Sequence, residues 1–314
     1  MLTAFRANGR ARRAMAVAGA VTALGFASSA NAQAVFNLGD IVVGSDAVTE
    51  INLSIPTGTY TSYSLTTDWS VASGDPWSNE AVWAMTEGPN ANPGTIYASP
   101  GASPDSQSNG NATTLTWNGF LNFELNSPPT TDAFFLALQQ FDPSSANWDN
   151  TVLTLDNQTA TPPTPDFTAS TGGSFSYAQS AGQITFIKFE YTGGALSIDT
   201  NGSDLPDPSG GTFVNDTEIA LYNDFGGLLA TDDDGAGNTG TGESALFFDD
   251  GVLQAGTYYL AVGTFDTVFA SGYDVTTSST DVGTIQINGL NIVPEPGSLA
   301  LLGLAGLTLV RRRR

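Results

Sequence analysis

The chain has 314 residues, of which 31 are acidic, nine are basic and none is histidine or cysteine, so its formal net charge is −22. Without histidine or cysteine there is no Ser–His or Cys–His nucleophile, no histidine-bound catalytic metal and no disulfide. The charge argues against nucleic acid and anionic membranes as partners, because both need a basic face. We therefore expect a protein that is not an enzyme, although a carboxylate pair of the glycosidase kind stays open.

The first 32 residues have the three parts of a secretory signal peptide. Four arginines lie between residues 6 and 13 without an acid, and an apolar run follows over residues 14–27. Small residues then surround Ala30 and Ala32. This order is typical of a leader that signal peptidase removes, and we expect cleavage after Ala32.

The body that follows, residues 33–292, has 30 acids and a single base, Lys188, for a formal charge of −29. Apolar residues alternate with period two in short segments bounded by turn-forming residues, which is typical of strands. Examples are TEINLSI (49–55), TLTWNGFLNFEL (114–125), QITFIKFEY (183–191), TEIALYN (217–223) and TYYLAVG (257–263). The pattern predicts an all-β fold of two tandem antiparallel, jelly-roll-like β-sandwiches.

Segments of the two halves of the body align with each other in the same order. Residues 130–142 align with residues 254–266 at an offset of 124, and segments further upstream align at an offset near 137. We interpret this as a duplication, with sandwiches at 33–156 and 175–292 joined by a Pro- and Gly/Ser-rich linker at 157–174. Chance similarity between Gly- and Thr-rich strands is the alternative.

All five tryptophans lie in the first half of the body, and two of them are in turn-like sequences. Trp83 and Trp117 fit core strands, whereas Trp77 in GDPWSN and Trp148 in SANWDN do not. Exposed indole rings stack on sugars, although most tryptophans of β-sandwiches are core residues. Trp77 and Trp148 are therefore candidate glycan-binding residues. A carbohydrate-binding module is the alternative function, with a glycan-cleaving enzyme less favoured.

The loop TDDDGAGNTGTGE, residues 231–243, is a candidate calcium site in the second half. Clustered carboxylate, amide and backbone oxygens on a glycine-rich loop are the ligands that Ca²⁺ takes. The candidate ligands are Asp232, Asp233, Asp234, Asn215, Asp216 and Asp224. The alternative is a solvated acidic hairpin tip without a metal.

Three motifs of the second half resemble the bacterial pre-peptidase C-terminal domain. They are DTEIALY from Asp216, LLATDDD from Leu228 and AGTYYLAV from Ala255. The resemblance covers residues 183–291. It implies a secreted, non-catalytic β-sandwich of jelly-roll type that is associated with substrate or matrix binding and in some members binds calcium.

The tail VPEPGSLALLGLAGLTLVRRRR, residues 293–314, differs from the acidic body. A Pro-Glu-Pro motif precedes thirteen apolar or small residues, 298–310, which are fewer than the roughly 20 that a membrane-spanning helix needs. Such a segment, followed by arginines, holds a chain only briefly in the inner membrane. The residues expected to act in sorting are Pro294, Glu295, Pro296, Arg311, Arg312, Arg313 and Arg314.

Motif, apolar segment and arginines together resemble the PEP-CTERM sorting signal. The resemblance implies an exosortase-type membrane protease that cuts near Pro-Glu-Pro. It also implies a place at the cell surface or in the extracellular matrix of a Gram-negative-type bacterium, with exopolysaccharide and biofilm. An ordinary tail anchor is the alternative.

Overall fold

The computed structural model describes residues 21–22, 33–45, 48–90, 95–102, 111–127, 132–139, 144–206, 214–236 and 242–293. In these ranges the chain is nearly all β, and its one helical element is a 3-10 turn, Ser78–Glu80. The predicted all-β class is confirmed. Ala30, Ala32 and residues 294–314 lie outside the described residues. The chain divides into two compact units, Met1–Thr159 and Ala160–Arg314.

The first unit contains two sheets. Its strands are β1 (Val21–Thr22), β2 (Ala34–Gly44), β3 (Thr49–Ser54), β4 (Gly58–Ser73), β5 (Ala81–Glu87), β6 (Ile96–Ala102), β7 (Thr113–Ser127), β8 (Ala133–Gln139) and β9 (Ser145–Asp156). The sheet orders are β1-β3-β8-β5-β6 and β2-β9-β4-β7. The rings of Tyr63 in β4 and Trp83 in β5 meet with centroids 5.1 Å apart, so the two sheets share a core.

The second unit is built around one eight-stranded sheet. Its strands are β10 (Phe167–Gln179), β11 (Thr185–Tyr191), β12 (Leu196–Asp199), β13 (Thr217–Asn223), β14 (Leu228–Asp232), β15 (Ala245–Phe248), β16 (Gly256–Thr264), β17 (Thr267–Ala270), β18 (Asp274–Thr277) and β19 (Gly283–Ile292). The order is β14-β13-β16-β11-β10-β19-β12-β15, and β17 and β18 form a separate hairpin.

Strand β10 joins the two halves of this sheet. Its first residues, from Phe167 to Ser170, pair in parallel with β11, while the strand also pairs antiparallel with β19. The register with β19 shifts between Thr171 and Ser174. Gly172 and Gly173 lie at this shift with φ of +87° and +84°, a conformation that other residues rarely adopt. The kink lets strands on both sides of β10 enclose one core, which includes Ile187, Leu260 and Ile287.

The two units have the same strand order. Without β1 and the β17–β18 hairpin, each unit has eight strands, which we number 1 to 8 in chain order. In both units these eight strands form two halves, ordered 1-8-3-6 and 2-7-4-5. Two four-stranded halves connected in this way have a jelly-roll order. Cross-strand neighbours also correspond between the units. The row Ile51–Phe135–Met85 of the first unit lies on strands 2, 7 and 4, as does the row Ile187–Leu260–Leu221 of the second. The first and last residues of each row are 34 positions apart in the sequence.

The sequence alignment of the two halves is displaced by one residue. It matches Phe134 with Tyr258, but the core residue of β8 is Phe135, which stacks on Trp83. In β16 it is Tyr258 itself that stacks on Phe189 in the core. Because side chains alternate between the faces of a strand, the aligned residues point to opposite faces.

The predicted linker, residues 157–174, is too long. Its second part belongs to the second unit, since Phe167 begins β10. Even Ala160 is attached to that unit, because its N–H donates to the carbonyl of Phe225 at 3.0 Å. The Asp166 N–H likewise donates to the carbonyl of Phe186 at 2.8 Å. A Pro-rich sequence is therefore compatible with an ordered approach to the first strand.

Candidate functional site

Three of the predicted calcium ligands lie together at one end of the second unit. Asp216, Asp233 and Asp234 each offer a carboxylate oxygen, and these oxygens lie within 4.8 Å of one another. Asp216 precedes β13, and the other two follow β14, its antiparallel neighbour. The start of one strand and the end of the next therefore meet at the same sheet edge. We call these three residues the acidic cluster.

Hydrogen bonds hold the two sides of the acidic cluster against each other. The Ser244 hydroxyl lies within hydrogen-bonding distance of the carbonyl oxygens of Thr217 and Asp233, and the Thr217 N–H donates to the carbonyl of Gly242 at 2.7 Å. A Cβ at Gly242 would lie 2.8 Å from the Asp216 Cα. A larger residue there would separate the segments, so glycine is required by the close approach.

The other three predicted ligands are not members of the acidic cluster. The Asp232 carboxylate accepts hydrogen bonds from the N–H groups of Gly235 at 2.8 Å and Ala245 at 2.7 Å, so it closes the turn. Asn215 accepts a bond from the Leu205 N–H at 2.9 Å. Asp224 follows the far end of β13, about 26 Å from Asp216 at the usual rise per residue. The prediction that Asp224 joins this group is wrong, because a whole strand separates them.

Glu218 is a neighbour of the acidic cluster that the sequence did not reveal. It lies two residues after Asp216, on the same face of β13, and is 9% exposed. Its carboxylate accepts hydrogen bonds from the N–H groups of Asp266 at 2.9 Å and Thr267 at 2.8 Å. Burial, and then the nearby Asp233 charge, raise the pKa of Glu218 to about 7 despite these bonds. The pKa of Asp233 is also raised, first by burial and then by Asp234 and Asp232.

The raised pKa values of Glu218 and Asp233 have two causes, burial first and neighbouring negative charge second. Folding brings like charges together and partly removes them from water, and both effects favour the protonated forms. A divalent cation favours the ionised forms instead. The three oxygens of the cluster suit a hard cation such as Ca²⁺, which takes six to eight oxygen ligands. Backbone carbonyls or water would have to complete such a set.

The two candidate glycan-binding tryptophans have different environments. Trp77 is 41% exposed, next to the 3-10 turn. The backbone N–H of Trp77 donates to the Glu80 carboxylate at 3.0 Å, and the Trp77 carbonyl accepts a bond from the Gln139 side-chain amide at 2.7 Å. These two bonds fix the backbone that presents the ring. Trp148 is fully buried in β9 and stacks on Trp117. The prediction that Trp148 binds glycans is therefore wrong.

A backbone irregularity explains the position of Trp148. Inward-facing residues of β9 are Ala146 and Trp148, and then Thr151 and Leu153. The phase changes because Asn150 has φ of +53°, at an irregularity in the pairing with β2 and β4. A sequence rich in Asn and Asp can thus continue a strand through a bulge instead of ending it.

The sorting residues Pro294, Glu295, Pro296 and Arg311 to Arg314 follow the last strand and lie outside the described residues. Strand β19 ends at Ile292, and the Val293 N–H donates to the Thr168 carbonyl at 2.8 Å. Where the structure describes the chain, it contains no helix with the length and apolar character of a membrane span.

Several solved structures are similar to this chain at low sequence identity. Tripeptidyl peptidase 2 is 10% identical, with a TM-score of 0.28, and the alignment covers 90% of this chain and 28% of that one. The MCP of Sulfolobus turreted icosahedral virus (STIV) is 8% identical, with a TM-score of 0.27 and coverage of 90% and 99%. The CBM22-1–CBM22-2 tandem of Paenibacillus barcinonensis Xyn10C is 9% identical, with a TM-score of 0.25 and coverage of 88% and 99%. Likenesses at these TM-scores establish neither a shared fold nor a shared function.

No curated protein matches the chain. Residues 293–314, in contrast, match the PEP-CTERM protein-sorting motif. This confirms the prediction made from Pro-Glu-Pro, the apolar segment and the arginines. The chain therefore carries the tail of a PEP-CTERM protein, which implies export, sorting by an exosortase and association with the cell envelope.

Proposed function

We propose that the mature chain is a non-enzymatic protein of the cell surface or extracellular matrix of a Gram-negative-type bacterium, associated with exopolysaccharide and biofilm. The match of residues 293–314 to the sorting motif is the observation that carries this proposal. The absence of histidine and cysteine supports a role in binding or structure, because the commonest nucleophile and base pairs cannot form.

The same proposal includes the architecture of the mature protein. After signal peptidase removes residues 1–32, two tandem jelly-roll sandwiches remain, joined near Thr159. The shared strand order of the two units supports an origin by duplication. The resemblance of the second unit to the pre-peptidase C-terminal domain supports a binding role for it. The sorting tail holds the chain in the inner membrane only until the exosortase acts.

Calcium binding at the acidic cluster is a further part of the proposal. Asp216, Asp233 and Asp234 offer carboxylate oxygens, which are ligands that Ca²⁺ prefers. They come from two segments that hydrogen bonds hold together. The charge of Asp233 contributes to the raised pKa of the neighbouring Glu218, so a bound cation would also favour ionisation of that residue. A bound cation would convert repulsion between these groups into attraction and would fix the loop after β14.

Glycan binding by the first unit is the second candidate function, and the presentation of Trp77 favours it. The ring is 41% exposed on a backbone fixed by the buried Gln139, so an indole face is available at low entropic cost. To test it, Trp77→Ala protein is applied to a column of the host's exopolysaccharide. Phe265→Ala is the control, because Phe265 is 60% exposed in the second unit. The site is supported if Trp77→Ala loses retention while the unaltered protein and Phe265→Ala keep it. Equal retention of these three proteins contradicts it.

The main proposal is tested by the fate of the tail in the native host. We expect mass spectrometry of the surface and matrix fractions to find a chain that begins near Gln33 and contains no peptide beyond about Glu295. A Glu295→Gln variant tests the motif and Glu124→Gln, an exposed glutamate in β7, serves as control. Recovery of Arg311 to Arg314 in the mature surface pool would show that sorting by this tail does not occur.

A further inference from the structure

The last strand of the second unit continues into the sorting tail without a spacer. Strand β19 ends at Ile292, and the matched motif begins at the next residue, Val293. Val293 is itself attached to the sheet through the hydrogen bond from its N–H to the Thr168 carbonyl. The Pro-Glu-Pro sequence therefore begins at the residue after Val293, the last described residue, which is still hydrogen-bonded to the sheet.

The end of β19 is fixed along its length. Ile292 pairs with Ala169 and Asn291 pairs with Ser170, both on β10. Leu290, one residue earlier, is fully buried in the core. The Asn291 side chain also lies against the β10 kink, because a Cβ added at Gly173 would be 2.9 Å from the Asn291 Cβ.

A protease binds the residues on both sides of the scissile bond in an extended conformation, with main-chain hydrogen bonds of its own. Backbone groups already paired with β10 are not available for this. Separating Asn291 to Val293 from β10 would free three residues, or about 10 Å of extended chain. Leu290 would stay buried, so this opening leaves the core intact. A short local opening is far less costly than unfolding of the unit.

From this geometry we propose that the fold itself restrains processing: the exosortase gains access to the tail only when the end of β19 separates from β10. The proposal concerns access and adds no chemical step to the cleavage. It rests on the proposed function and adds a form of regulation to it. Chains whose second unit is incompletely paired are processed faster than fully folded chains.

Two changes in the full-length chain test this in the native host. The first inserts Gly-Ser-Gly-Ser between Ile292 and Val293, which preserves residues 293–314 and separates them from the sheet. The second is Gly173→Ala, which displaces Asn291. Gly172→Ala is the matched control, because Gly172 also has a positive φ but a Cβ there meets nothing within 4 Å. Pulse-labelling followed by mass analysis gives the rate of tail loss.

We expect the insertion and Gly173→Ala to increase this rate about fivefold or more, the factor that corresponds to one net backbone hydrogen bond. Gly172→Ala should have a clearly smaller effect. The insertion follows the last residue of β19 and removes only the hydrogen bond of Val293, so it stays informative even if Gly173→Ala folds poorly. Processing of the insertion variant at the unaltered rate would overturn the restraint. Retention of the tail in the unaltered protein would instead overturn the proposed function, and the restraint with it.

Discussion

Trp117 and Trp148 stack in the core of the first unit, with ring centroids 5.6 Å apart and an interplanar angle of 25°. They belong to β7 and β9, which both pair with β4 between them. The contact therefore spans three strands of one sheet. Both side chains are almost completely buried.

Removing one ring of this stack should cost far more stability than removing the exposed Trp77. Trp148→Ala is expected to lower the free energy of unfolding by about 3–5 kcal/mol, because it leaves a cavity next to Trp117. Trp77→Ala should change it by about 1 kcal/mol or less. Urea unfolding of the two variants measures the difference. Equal effects would show that Trp148 is not a core residue.

Calcium should stabilise the second unit more than sodium at the same ionic strength. Binding at a hundredfold excess over Kd would contribute about 2.7 kcal/mol. The variant Asp233→Asn with Asp234→Asn should lose this difference in melting temperature. Asp249→Asn with Asp250→Asn removes the same charge from two exposed residues and should keep it. A calcium response that survives in the first variant would mean that the cluster does not bind the ion.

The stability of the second unit should decrease as the pH rises from about 4.5 to about 7. The pKa of Glu218 is about 7 in the folded protein and near 4.5 in the unfolded chain, so the unfolded state releases its proton first. In calcium-free buffer, Glu218→Gln should reduce this decrease by on the order of 1 kcal/mol, allowing for solvent screening. The control is Glu190→Gln, an exposed residue of β11. Parallel pH profiles for the two variants would show that Glu218 does not cause the pH dependence of stability.

A fragment of residues 160–293 should fold alone, whereas a fragment that starts at Gly172 should not. The shorter fragment lacks the residues of β10 that pair with β11, Phe167 to Ser170. It also lacks the Phe167 ring, which lies 5.4 Å from Phe175 and 5.3 Å from Tyr177 between centroids. Circular dichroism and thermal melting distinguish the two. Cooperative melting of both fragments would show that the start of β10 is dispensable.

Gly289→Ala should be strongly destabilising, by about 2 kcal/mol or more. Gly289 has φ of +89°, and a Cβ there would lie 2.0 Å from the Ser197 carbonyl oxygen. Gly251→Ala is the control, since Gly251 has φ of +81° with nothing within 4 Å of the added atom. The difference in melting temperature between them isolates the steric clash from the backbone strain. Similar melting temperatures would indicate that β19 and β12 can separate locally.

The sequence predicted what depends on local pattern. Period-two alternation identified the segments that form β3, β7, β11, β13 and β16. The proximity of Asp216, Asp233 and Asp234 was predictable, because adjacent antiparallel strands bring the end of one next to the start of the other. That these residues bind calcium stays a prediction. The tail was recognisable because its order of motif, apolar segment and arginines needs no tertiary structure.

What the sequence did not predict depends on long-range packing or a single backbone angle. The buried carboxylate of Glu218 is held by the N–H groups of Asp266 and Thr267, 48 and 49 residues further along the chain. Trp148 faces inward because Asn150 shifts the phase of β9, and such a shift is invisible to a search for strict alternation. The one-residue slip in the alignment has a similar origin, since composition does not distinguish the two faces of a strand buried on both sides.

The antiparallel pairing of β10 and β19 has a mechanical consequence. The first strand of the second unit, β10, begins beside the end of its last strand, β19. If the mature chain is attached at its sorted end, as proposed above, tension between the first unit and that attachment pulls the two strands apart from one end. Their hydrogen bonds then bear the load one after another instead of together, so this unit should yield at low force and lengthen before the attachment breaks.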